Sequence, residues 1–159
     1  MQILSVLQSL ANWGPFVFLR DSKYGMPTIQ SFHLMGLTIF LATTVAINLR
    51  LTGVGIRKLS LGLLARQLKP WAMGALAVLI TSGILIFFVN PTKYLASYAF
   101  RIKMALLASA LLFHFVVLAK ATRSKPGSSK RPVNFIIAAI SLTLWFGVGW
   151  AGRAIAFFP

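Results

Sequence analysis

Very few residues in this chain can do chemistry. Its 159 residues include two histidines, His33 and His114, no cysteine and a single acid, Asp21, against sixteen Lys and Arg. Both histidines fall inside long apolar runs. An ionisable group at membrane depth is costly unless it is paired, faces a cavity or binds something. A neutral imidazole is the usual protein ligand of a b-type haem iron, and a thioether is a common second one. His33 is therefore the first candidate ligand and His114 the second, with Met104 a candidate axial partner and Arg101, Lys103 and Arg153 candidate anchors for propionates. Each has a plain alternative: an imidazole bonded to a neighbouring hydroxyl, a packing methionine, and cations reaching for the membrane surface.

The absences narrow the field further. Without cysteine there is no disulfide, iron–sulfur cluster, thiolate zinc site or covalent haem attachment. One acid cannot supply the carboxylate pair of a hydrolase or a magnesium or calcium cage. A proton pump would carry an acid within a span, and none is present. Enzymatic activity by the chain alone is not expected.

Depth separates the two histidines. About 25 Å of helix rise lies between His33 and Arg50, where its run ends, and about 9 Å between His114 and Lys120. The expected mismatch of about 16 Å is too large for two axial ligands of one iron. Met104, by the same measure, lies level with His33. Copper is a weaker alternative, because His33 and Met35 point some 200° apart on a helix and cannot chelate together.

The elements that must position these residues are apolar helices. Hydrophobic residues make up 58% of the chain, charged residues 11%, and mean hydropathy is +0.82. Ordinary globular proteins carry about a quarter charged residues, so lipid must cover much of this surface. The spacing predicts spans at about 27–49, 70–89, 97–121 and 133–157, within one transmembrane domain covering 1–159. Residues 2–13 read as an amphipathic helix lying in the interface, broken by Gly14-Pro15. Asn90-Pro91-Thr92 reads as a turn and Thr122–Pro132 as a polar, flexible loop. Short links between apolar helices predict an all-α, up-down four-helix bundle. Gly74, Gly83, Gly147 and Gly149 permit close helix contact in lipid. The spacing Gly147-x-Gly149-x-x-Gly152 imitates a dinucleotide fingerprint but follows no strand.

A net charge of +15 suggests nucleic acid at first sight, yet the basic residues sit between apolar runs rather than on one polar face. No nucleic-acid partner is expected. Arg50, Arg57, Lys58, Arg66 and Lys69 occupy one link, and Lys120, Arg123, Lys125, Lys130 and Arg131 another. Fewer cations, Arg20, Lys23, Lys93, Arg101, Lys103 and Arg153, are spread over the opposite side. The positive-inside rule makes both links cytoplasmic and both termini external, in a bacterial inner membrane.

The segments PTIQSFHLMGL, NLRLTG, PW, TSGILIF, YAFRIKM and GRAIAF, taken together, resemble an uncharacterised bacterial family of small four-helix membrane proteins. The resemblance covers roughly residues 15–158 and implies no assigned activity. Asn48 stands where that family usually has an acid, which leaves an ion pair with Arg50 without its partner. More distantly the chain is similar to the membrane parts of b-type cytochromes and of copper-resistance D proteins, which implies haem or copper as candidate cofactors.

The expected function is a small integral membrane protein binding haem b, or another tetrapyrrole, near the outer face for electron transfer. The alternatives are an accessory subunit of a respiratory or photosynthetic complex, with His33 holding a pigment or serving structure, and a copper transporter. Expected partners are the lipid bilayer and other membrane subunits or further copies of the chain.

Overall fold

The computed structural model describes residues 2–54, 59–123 and 131–157. Parts of both predicted links, including Arg57, Lys58, Lys125 and Lys130, lie outside the described residues. The described elements are helical: α1 Gln2–Ala11, α2 Gly14–Asp21, α3 Gly25–Leu51, α4 Leu61–Val89, α5 Pro91–Ala96, α6 Tyr98–Leu112, a π-helical turn Phe113–Leu118, α7 Ala119–Arg123 and α8 Arg131–Ala154. Four helical stretches, Gly25–Leu51, Leu61–Val89, Tyr98–Thr122 and Pro132–Ala154, are long and apolar enough to cross a membrane. They match a multi-pass membrane protein with the four predicted spans.

Several boundaries differ from expectation, each for a local reason. α4 begins at Leu61 rather than Pro70. The Ser60 side chain accepts the Leu63 amide at 3.3 Å and caps an additional polar stretch carrying Arg66 and Lys69. Pro70 thus lies inside the helix rather than opening it. The N-terminal helix stops at Ala11, and residues 14–21, where the pattern seemed broken, form α2 with Pro15 in its first turn. Asn90-Pro91-Thr92 is not a free turn: Asn90 caps the short α5 through the Lys93 amide. Ser97 then caps α6, in agreement with a third span starting near residue 97. α3 ends in a Schellman motif, with Gly53 at φ +82° and the Val54 and Gly53 amides donating to the Leu49 and Arg50 carbonyls.

α3 packs most extensively on α4, α6 on α8, and α3 on α8, so the spans sit side by side in the order α4, α3, α8, α6. One core cluster, Phe40, Ala72, Ala75, Leu76, Ala110, Trp145 and Val148, joins all four. Gly36 lets α3 approach α4 closely; a Cβ there would lie 3.2 Å from the Ala75 carbonyl oxygen. At the end of the bundle bearing α5, α1 packs against α4 and α5 and α2 against α3 and α4. Phe16 stacks on Phe88 at 5.5 Å and Phe87 on Phe100 at 5.7 Å. Tyr94 joins that cluster, and burial pushes its phenol pKa up. At the opposite end Arg50 Nε donates to the Leu59 carbonyl at 2.7 Å and holds the α3–α4 link. Asn48 faces the core instead and does not approach a pairing with Arg50.

Candidate functional site

His33 is half-buried on α3, against α4. Its Nδ1 lies 2.8 Å from Ser82 Oγ. The Ser82 hydroxyl donates to the Val78 carbonyl one turn earlier, at 2.5 Å, and the Leu79 carbonyl is 3.3 Å away. A hydroxyl carries one proton. With that proton on the Val78 carbonyl, Ser82 Oγ accepts from His33, which places the imidazole proton on Nδ1 and leaves Nε2 with a free lone pair. This is the tautomer of a ligating or proton-accepting histidine. Gly83 makes room for the ring: a Cβ there would sit 3.5 Å from His33 Cε1.

Lys103 of α6 lies within electrostatic range of that imidazole. Its Cε and Nζ lie against Gly152 of α8, 3.6 Å from where a Cβ would be. The one acid of the chain, Asp21, pairs with Arg20 at 3.5 Å on α2. Among the described residues Lys103 has no carboxylate partner, and it lies within electrostatic range of His33 at the α5 end of the bundle. Such a corner attracts an anion that can also be ligated or protonated.

His114 occupies different surroundings. It lies in the π-helical turn, 5.4 Å from Phe40 and 6.1 Å from Trp145 between ring centroids. Phe40 follows His33 by about two turns of α3, roughly 10 Å. The offset between the histidines is therefore smaller than the 16 Å expected from span ends, yet still too large for a shared iron. Lys103 places the neighbouring Met104 at the right depth, but Met104 is 46% exposed on the outside of α6. The expected opposition of Met104 to His33 is not formed. Arg101 lies over Tyr98 at 5.6 Å and Arg153 over Phe157 at 5.2 Å, both exposed at the same end as Lys103. Of the six predicted residues, His33 and Lys103 lie within electrostatic range of each other. Arg101 and Arg153 are exposed at the same end of the bundle, and Met104 and His114 stand apart.

A family model described as a family of unknown function, DUF6644, matches residues 21–158. The chain belongs to this family. No curated protein and no solved structure matches it. As a DUF6644 protein it inherits no assigned activity, and its own geometry must carry the functional argument.

Two grooves open on the surface of this DUF6644 protein. The larger, about 1150 Å³, runs between α6 and α8 past Ile102, Leu106, Phe146, Gly147 and Trp150 to Arg153. The smaller, about 440 Å³, lies between α3 and α4 beside Gly36, Trp71 and Gly74. His33 lines neither. Sequence reasoning missed Ser82, and with it the tautomer of His33. It also missed a buried polar seam of Thr44, Asn48 and Ser141 beside Trp145. The available signal was the four-residue spacing of 44 and 48, and of 141 and 145, which puts polar and amphipathic groups on one face of an apolar span.

Proposed function

We propose that this protein is a membrane-embedded tetrapyrrole carrier, holding a b-type haem at His33 near the outer face and passing electrons there. The observation that carries the reading is the His33–Ser82 pair. With the Ser82 proton on the Val78 carbonyl, the pair would hold Nδ1–H and leave Nε2 to ligate, the arrangement by which proteins orient a ligating imidazole. Lys103, with Arg101 and Arg153 exposed at the same end of the bundle, offers cations to the two carboxylates of a haem, which would otherwise be uncompensated beside hydrocarbon. Haem requires only one or two protein ligands. That suits a chain in which no three His, Asp or Glu converge among the described residues. The bound iron would supply one-electron chemistry; the protein's part is to orient the imidazole and neutralise the carboxylates.

The test is the absorbance spectrum of protein purified from cells grown with ample haem. A Soret band in the wild type, lost in His33→Ala and retained in His114→Ala, is the expected result. A wild-type protein without Soret absorbance under those conditions ends the haem reading.

A second reading, an accessory subunit of a larger membrane complex, is favoured by the two apolar grooves and by the small residues Gly36, Gly74 and Gly147 along them. It predicts stoichiometric partner chains after purification in mild detergent. A chain that runs alone and keeps its native activity would count against it.

A further inference from the structure

Four buried side-chain atoms have no hydrogen-bond partner among the described residues: Thr44 Oγ1, Asn48 Oδ1, His114 Nδ1 and Trp145 Nε1. Buried polar groups are normally satisfied, and an orphan in a dry interior is costly. Four together are not a random scatter. Thr44 and Asn48 are each 0% exposed and Trp145 1%. Phe40, Thr44 and Asn48 follow one another at four-residue spacing down one face of α3, and Ser141 and Trp145 do so on α8. Asn48 Nδ2 donates to Ser141 Oγ at 3.1 Å, Phe40 lies 4.4 Å from Trp145, and His114 flanks both rings. Two turns of α3, about 12 Å, therefore contain the set.

The types of these atoms define what would satisfy them. Trp145 Nε1 can only donate. The two amide protons of Asn48 are directed at the Thr44 carbonyl, 2.8 Å away, and at Ser141 Oγ, so Oδ1 can only accept. A metal cation is repelled by the indole N–H, and an anion by the amide oxygen. Among the described residues neither an acid nor a Lys or Arg lines the seam to balance a charge. The occupant must be neutral and able both to donate and to accept, and small enough for a tightly packed helix pair.

We propose that the α3–α8 seam is an internal hydration site, in which bound water bridges Trp145 Nε1, Thr44, Asn48 Oδ1 and His114 Nδ1. At about three hydrogen bonds per buried water, four orphans call for about two molecules. The π-helical turn fits this role, since such turns distort the regular backbone ladder and recur at functional positions. Hydration would give His114 a hydrogen-bonded connection through an otherwise apolar helix pair. The proposal is independent of any haem at His33.

Nuclear magnetic resonance of the ¹⁵N-tryptophan protein in detergent micelles tests it. Trp145→Phe assigns the indole signal. The expected result is a cross-peak between the Trp145 indole proton and water, with the downfield shift of a hydrogen-bonded indole. Bulk solvent cannot supply that cross-peak to a side chain 1% exposed. Its absence in the wild-type protein overturns the proposal. Thr44→Val, which removes a hydroxyl without changing shape, should retain the cross-peak, and Asn48→Leu should weaken it severalfold. Disappearance in folded Thr44→Val would mean the signal was relayed by the hydroxyl, and an unchanged signal in folded Asn48→Leu would place the water elsewhere. Either result also overturns it.

Discussion

The His33 corner and the His114 box contain the same kind of side chain in opposite circumstances. At the corner, one hydroxyl bond holds an imidazole within electrostatic range of Lys103, which has no carboxylate partner among the described residues, and Arg101 and Arg153 are exposed at the same end of the bundle. In the box, the imidazole flanks the touching rings of Phe40 and Trp145, both members of the cluster that joins all four spans. The corner gathers cations at one end of the bundle, where His33 and Lys103 are partly buried. The box accumulates packing and contains no formal charge beyond the histidine's own. A ligand that is anionic at one edge and ligated at another suits the first; a neutral hydrogen-bonding molecule suits the second. Histidine in a membrane span is thus a starting question, answered by what the neighbouring helices present to it.

Packing supplies the largest expected effect. Trp145→Ala should destabilise the protein by about 3 kcal/mol, because a large buried ring leaves a cavity that the helices cannot fill. His33→Ala, half-buried and bordered by Gly83, should change unfolding by much less. Thermal unfolding of both variants in one detergent checks the contrast. Equal losses would mean that the corner is structural after all.

Lys103 gives the next effect, with opposite signs for binding and for stability. Lys103→Met should weaken binding of an anionic tetrapyrrole about tenfold, the value of one charge-assisted contact. It should leave thermal stability unchanged or higher, since an ammonium without a counter-ion is relieved of burial. Haem titration and a melting curve on the same sample measure both. A variant that loses stability while binding normally would make Lys103 a packing residue.

Much of this contrast was hidden in the sequence, for definite physical reasons. Hydropathy alone located the four spans, because twenty or so apolar residues have few other uses. It misplaced the start of α4, since Arg66, Lys69 and Pro70 look like a loop. A helix can continue beyond the membrane when Ser60 caps it and water solvates the carbonyl that Pro70 frees. Helix rise put Met104 level with His33, but Met104 is one residue past Lys103, a rotation of 100° on the helix, and that rotation turns it outward. The π-helical turn at His114 leaves no compositional signal. Asn48 looked like the end of a span because Arg50 follows it. Its 0% exposure comes from α8, and the Ser141 that meets it is distant in sequence.

Asn48→Ala should cost about 1 kcal/mol, near the upper part of the range for hydrogen bonds between membrane helices. The loss should disappear in a Ser141→Ala background if the bond between them is its source. A double-mutant cycle by chemical unfolding gives the coupling directly. No coupling would shift the role of Asn48 to its bond with the Thr44 carbonyl alone.

The smallest expected change in stability makes the sharpest distinction between the two regions. Ser82→Ala removes one hydroxyl, at about 0.6 kcal/mol for a typical membrane helix contact, and Ser141→Ala removes another from the seam. Their consequences for a cofactor should differ. Without Ser82 Oγ, His33 Nδ1–H loses its acceptor, and the ring is less firmly oriented. A ligating imidazole also loses electron density when its outer hydrogen bond is removed. Ser82→Ala should therefore retain haem but shift its Soret maximum and its midpoint potential, while Ser141→Ala leaves both where they are in the wild type. Spectroelectrochemistry of the two variants decides the matter. A shift in Ser141→Ala as large as that in Ser82→Ala would place the haem against the seam and remove the reason for assigning it to His33.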